Sequence, residues 1–196
     1  MPNGRFGHKT YLVRRRFLKL VGASFYVDDP SGQVVLYADQ KAFKLKEDIR
    51  LYTGEDKTKE VLRISARTMF DISATYDVFD SATNVRLGSL QRRGMKSMLR
   101  DEWGILDISD REVGTIVEDS MALALIRRFV DMATLFMPQK YSVTFQGQDV
   151  ATFTQTKNPL IMKINLDFSA DTQGQLDRRL GIAAGILLSA IDGKQG

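Results

Sequence analysis

Two kinds of residue in this 196-residue chain could do chemistry: carboxylates that recur in pairs, and arginines and lysines gathered into two runs. The pairs are Asp28-Asp29, Asp101-Glu102, Asp107 with Asp110, and Glu118-Asp119. Two neighbouring carboxylates can act as acid and base at a glycosidic bond or hold a divalent cation. Most of these, however, stand at turns or strand ends, where Asp serves local hydrogen bonding. The only histidine, His8, lies in a basic N-terminal stretch without the placed partners that a Ser-His-Asp site needs. There is no cysteine, which removes disulfides, thiolate chemistry and Cys-based zinc sites. Gly-x-Ser-x-Gly, a Gly-rich phosphate loop and a His-based zinc motif are also missing from the sequence. The sequence therefore predicts no enzyme: no catalytic residue, no cofactor and no metal ligand.

The basic runs are the stronger signal. Residues 1–27 hold Arg5, Lys9, Arg14, Arg15, Arg16 and Lys19 with no acid until Asp28, and residues 86–100 hold Arg86, Arg92, Arg93, Lys96 and Arg100 with none until Asp101. The net charge is +4, yet outside these eleven residues 17 Lys and Arg face 24 acids. Two cationic segments on an acidic body point to an anionic partner. The expected contact set is Arg14, Arg15, Arg16 and Lys19 together with Arg92, Arg93, Lys96 and Arg100. Attraction to an anionic surface is worth about 1 kcal/mol per basic residue held near it, so this reading needs the eight to share one patch. The competing reading is that Lys and Arg simply solubilise the outer face of strands. Nucleic acid is disfavoured, because no aromatic-rich RNA-binding signature accompanies the basic residues and the body is acidic.

Positioning these groups falls to a series of short strands. Tyr11–Leu20, Ser24–Val27, Gln33–Ala38, Ile49–Tyr52, Val61–Ser65, Ile72–Phe79, Val85–Gln91, Trp103–Ile108, Glu112–Val117, Lys140–Phe145, Val150–Thr156 and Pro159–Phe168 all have strand character. Turn residues separate many of them, as in Asp28-Asp29-Pro30-Ser31-Gly32, Asp80-Ser81-Ala82-Thr83-Asn84 and Gln146-Gly147-Gln148. Residues 53–56 read as a charged, mobile tip. In Val85–Gln91 the residues expected to face inward are Val85, Leu87 and Ser89. Consecutive hairpins at short spacing predict an antiparallel meander closed into a sandwich or barrel.

Three segments read as helices. Gly94–Glu102 carries Met95, Met98 and Leu99 on one side, and Asp119–Phe136 is amphipathic and Met-rich, suited to plugging one barrel end or to binding a partner or membrane surface. Leu180–Ile191 is apolar or small all round, and such a helix is buried in protein or in a membrane. At 1.5 Å per residue its length is about 18 Å, short of the roughly 20 residues that span a bilayer. It is the natural filler of a barrel too wide for side chains alone. Gly181 and Gly185 then imply close approach of strand side chains. The expected fold is mainly β with helices: a closed antiparallel barrel of about twelve strands enclosing a hydrophobic C-terminal helix. Residues 1–9 form an N-terminal arm, 10–192 a single barrel domain and 193–196 a tail.

This combination resembles the tubby C-terminal-like superfamily and, within it, the LURP-one-related branch, a relative of the phospholipid scramblases. Tyr11–Phe17 resembles the opening basic-aromatic strand, Phe25-Tyr26-Val27-Asp28 with Gly32 the first hairpin, Tyr76-Asp77-Val78-Phe79-Asp80 the central one, and Leu166-Asp167-Phe168 the lead into the terminal helix. The resemblance covers about residues 10–192. It implies a non-enzymatic binding module that recognises anionic phospholipid or phosphoinositide head groups through exterior basic residues, with calcium a further ligand in the scramblases. The acids before the helix here, Asp167, Asp171 and Asp177, do not fit an Asp-x-Asp-x-Asp-Gly calcium loop. The alternative is a structural or protein-interaction module, homo-oligomeric in one form, with no lipid ligand. Without a signal-like N-terminus or a spanning segment, a cytoplasmic protein is expected, peripheral at a membrane where it binds lipid.

Overall fold

The computed structural model describes residues 4–18, 22–41, 48–67, 74–93, 102–119, 138–156 and 161–192. Twelve strands run through them: β1 (Thr10–Leu18), β2 (Gly22–Asp28), β3 (Val34–Lys41), β4 (Ile49–Tyr52), β5 (Glu60–Ala66), β6 (Thr75–Asp80), β7 (Val85–Arg92), β8 (Glu102–Leu106), β9 (Glu112–Glu118), β10 (Gln139–Phe145), β11 (Gln148–Thr156) and β12 (Ile161–Asp167). Each pairs antiparallel with its neighbours in sequence, and β12 returns to β1 in a seven-residue register from Thr10↔Asp167 to Arg16↔Ile161, closing the barrel. Closure leaves no free edge, so every strand has a partner on each side. The pairing is uneven, since among the described residues β3 meets β4 through the single pair Tyr37↔Tyr52.

Alternation decides which side chains point in. Tyr11 and Val13 of β1, Phe25 and Val27 of β2, Leu62 and Ile64 of β5, and Met162, Ile164 and Leu166 of β12 are all buried in the barrel. In their midst lies α1 (Arg178–Asp192), whose residues from Leu180 to Ala190 are all buried. A Cβ added at Gly181 would lie 2.5 Å from the Phe168 ring, and one at Gly185 would lie 2.9 Å from Leu166 Cδ2. The glycines let the helix axis come this close to β12 and the turn after it. No helix among the described residues is long and apolar enough to cross a membrane.

Three details add to the sequence reading. A bulge between Val78 and Phe79 on one side and Gly88 and Arg86 on the other shifts the face of β7 by one residue. Beyond it Gly88 and Leu90 face inward and Ser89 is covered on the outer wall, while before it Leu87 packs against the core as expected and Val85, beside the turn, is 56% exposed. The charged loop after β4 is laid against the wall, where Lys57 Nζ reaches Asp39 of β3 at 2.5 Å and Thr53 N–H donates to Lys59 O at 3.0 Å. Finally, residues 4–9 dock on the barrel: Phe168 N–H donates to Lys9 O, the Tyr11 hydroxyl donates to Arg5 O, and Phe6 packs against the core. The helices expected over Gly94–Glu102 and Asp119–Phe136 fall on residues 94–101 and 120–137, outside the described residues, while Glu102 opens β8.

Candidate functional site

In an up-and-down barrel all odd strands run the same way, here parallel to α1. The helix begins beside Phe168 and Gly88 and ends beside Arg15. The described members of the expected set sit on β1 (Arg14, Arg15 and Arg16) and at the end of β7 (Arg92 and Arg93), strands that are six apart in either direction round the ring. They occupy opposite walls at the same end of the barrel, the end where α1 terminates.

Within β1 the three adjacent arginines part company. Arg14 points outward and makes a two-pronged ion pair with Asp28, Nε to Oδ2 at 2.5 Å and Nη2 to Oδ1 at 2.7 Å. Asp28 is itself buried, so the pair is neutral and committed to joining β1 to β2. Arg15, expected on the exterior, faces inward with 8% exposure. Its Nη1 donates to Ser189 O at 2.5 Å and Ala190 O at 3.4 Å, and its guanidinium lies 5.7 Å from the Phe25 ring. The cause is strand alternation: Tyr11, Val13 and Arg15 share a face. The carbonyls at a helix C-terminus have no partner within the helix and carry partial negative charge, which a guanidinium answers. Arg16 is exposed and stacks on Tyr26, 5.8 Å from the ring centroid. Burial pushes the Tyr26 phenol up, with Glu55 adding to the rise and a hydrogen bond from Arg16 opposing it.

At the far wall, Arg93 is held between Glu102 and Glu112, and Arg92 is half-buried on the inward face that Leu90 shares. Lys19, Lys96 and Arg100 lie outside the described residues. Of the five described members of the expected set, Arg16 alone is an exposed cation with no ion pair among the described residues. Register supplies neighbours that the sequence hid. Lys163 on β12 stands opposite Arg14 and Thr156, and Lys140 on β10 stands opposite Thr154. Both lysines are exposed, and neither is ion-paired among the described residues. Arg16, Lys163 and Lys140, with threonines between them, form a cationic strip over β1, β12, β11 and β10 near the end of α1.

The opposite end is acidic and closed on itself. Asp171 is buried and accepts from Gln175 N–H at 2.8 Å, Leu176 N–H at 3.1 Å and Arg178 Nη1 at 2.6 Å. Burial pushes its carboxyl up, but Arg178 and the two backbone donors outweigh that and hold it below the ordinary aspartate range. Asp177 caps α1 by accepting from Arg179 N–H at 2.9 Å, and Asp167 accepts from Ser169 N–H at 2.9 Å. Each acid is thus spent on the local backbone. Among the described residues no three His, Cys, Asp or Glu side chains are grouped to hold a metal ion. A cavity of about 580 Å³ opens beside Phe6, Leu176, Arg178 and Arg179, and both arginines there are already paired with carboxylates.

Twelve antiparallel strands closed round an apolar helix define the tubby-like class of barrel. A model of the LURP-one-related family matches residues 34–189, and the chain belongs to that family. Its fold is similar to that of a protein from Arabidopsis thaliana solved by X-ray methods, at 10% identity and a TM-score of 0.51 over 97% of this chain and 96% of that one. No curated protein matches it.

Proposed function

We propose that this protein is a non-enzymatic binding module that docks on anionic phospholipid or phosphoinositide head groups with the end of the barrel where α1 terminates. The observation that carries this reading is the strip of Arg16, Lys163 and Lys140, three exposed cations with no ion-pair partner among the described residues. The connections that leave the odd strands at this end, residues 19–21, 42–47, 68–73, 94–101, 120–137 and 157–160, hold in sequence eight Lys or Arg against four Asp or Glu. They also hold six of the eight methionines, among many other apolar residues. At the other end the connections between strands and into α1 hold seven Asp or Glu against three Lys or Arg. A charge gradient along the barrel axis favours end-on approach to an anionic surface, and Lys19, Lys96 and Arg100 belong in sequence to the connections that follow β1 and β7. Three cations contribute about 3 kcal/mol at roughly 1 kcal/mol each, enough for weak reversible docking.

Vesicle sedimentation tests this. Wild type is expected to bind phosphatidylcholine vesicles containing phosphatidylserine or a phosphoinositide and to leave pure phosphatidylcholine in the supernatant, with binding lost in R16E/K140E/K163E and kept in R93Q. Equal binding to neutral vesicles, or a triple variant that binds like wild type, ends the proposal. A protein-interaction module is the second reading. It draws on Ile108, 67% exposed, and Val85, 56% exposed, at the acidic end; a clean monomer by light scattering that captures no partner counts against it.

A further inference from the structure

On the wall formed by β5, β6 and β7, away from the cationic strip, two arginines converge on one oxygen. Arg67 Nη2 and Arg86 Nη1 both donate to Asp110 Oδ1, at 2.9 and 2.8 Å. Beneath them Asp77 and Ser89 fix the fork: Arg67 Nε donates to Asp77 Oδ2 at 3.0 Å, Arg86 Nη1 to Asp77 Oδ1 at 3.2 Å, and the Ser89 hydroxyl to Asp77 Oδ1 at 2.6 Å. Arg86 Nη2 is further held by the Ile108 carbonyl. Asp77 and Ser89 therefore position both guanidinium groups from below without the Asp110 carboxylate, and the turn that carries Asp110 holds Arg86 from the side through its Ile108 carbonyl.

Asp110 is the removable member. Its side chain is 48% exposed, against 34% for Arg67, 22% for Arg86 and 15% for Asp77. Only Oδ1 is engaged, and Oδ2 has no partner among the described residues. Asp110 belongs to the turn between β8 and β9 and has a φ of +60°, a left-handed conformation that suits glycine better. With its carboxylate withdrawn, two guanidinium groups face one carboxylate, Asp77, and the cluster carries a net positive charge. A tetrahedral phosphate offers several oxygens and up to two charges to the same fork, where Asp110 offers one oxygen and one charge.

We infer that Arg67 and Arg86 form a phosphate-binding fork that Asp110 occupies in the unliganded protein, so that a phosphate group binds by displacing the turn's own carboxylate. The occupant competes as a tethered ligand, at an effective concentration of roughly millimolar order, so phosphate affinity in the wild type is low and rises when the tether's carboxylate is removed. The exposed Ile108 beside the fork gives an apolar contact to the organic part of a phosphate ester. This site lies on a different wall from the strip of Arg16, Lys163 and Lys140 and does not rest on the function proposed for it.

D110G is the informative variant, because glycine accepts the backbone conformation and only the carboxylate is lost; D110N serves as the second. Titration calorimetry with inorganic phosphate, at ionic strength matched with chloride, is expected to show at least tenfold tighter binding to D110G than to wild type, and the loss of that gain in D110G/R86Q. A parallel arm with phosphatidic acid vesicles identifies a lipid rather than a soluble phosphate as the source if only the vesicles bind D110G, again in an Arg86-dependent way. If neither D110G nor D110N gains affinity for phosphate in either arm, or if the gain survives R86Q, the fork is a structural ion-pair network and the inference is overturned.

Discussion

Single charged residues here do work that their neighbours in sequence do not. Arg15 sits between two outward arginines, yet it is spent on the carbonyls of Ser189 and Ala190. Arg15→Leu should leave those carbonyls without a donor in the interior and cost about 1–3 kcal/mol, read by urea denaturation, whereas Arg16→Leu should change stability by less than about 0.5 kcal/mol. Asp171 does the corresponding work at the other end of α1. Its carboxyl is depressed in the folded state, so the stability it adds is fully present above the ordinary aspartate range and is lost as pH falls through the lower folded value. Asp171→Asn is therefore expected to cost about 1.5–3 kcal/mol near neutral pH, with the gap to wild type narrowing as the solution is acidified below the ordinary aspartate range. A gap that stays constant down to strong acid would mean the ionised carboxylate is not what stabilises the helix start.

Among elements, α1 leaves little room at its glycines. Replacing a helix-interior glycine by alanine ordinarily gains about 0.5–1 kcal/mol of helix propensity. Here the added methyl would meet Phe168 or Leu166 at less than 3 Å, and overpacking of a dense core costs about 1–3 kcal/mol. Packing should win, so Gly181→Ala and Gly185→Ala are both expected to lower the melting temperature, and Leu187→Asp, which buries an unpaired charge, to abolish folding. The junction with the fewest paired positions among the described residues is β3 against β4, and amide exchange should report earlier opening there than across β1 and β12. Much of this was legible in sequence. Alternating strands bounded by Asp, Gly and Asn turns gave the meander, and an apolar stretch too short for a bilayer gave the helix inside it. The site was less legible. The arginine triplet looks like one patch to the eye, but a period of two splits it across the wall. Lys140 and Lys163 are 23 positions apart, and only the registers of β10, β11 and β12 bring them onto one strip. The bulge opposite Val78 displaced the expected face of β7 because one extra residue in a strand inverts every prediction beyond it.

At the scale of the whole molecule, the barrel has two unlike ends. The start of α1 is ringed by acids and by residues 4–9, and its finish lies near the cationic strip. If the anionic surface is met end-on, binding should weaken several-fold between about 0.05 and 0.5 M salt as screening shortens the reach of exposed charges. Chain order adds one more consequence. α1 follows all twelve strands in the sequence, and the ring closes only when β12 finds β1. A polypeptide emerging from the ribosome must hold a dozen strands, each with one apolar face, before the element that covers those faces has been made. Until then the nascent sheet is a sticky intermediate, and its release depends on a segment translated after every strand. A premature stop before Arg178 is accordingly expected to yield not a smaller barrel but a chaperone client, with no near-ultraviolet dichroism and rapid proteolysis.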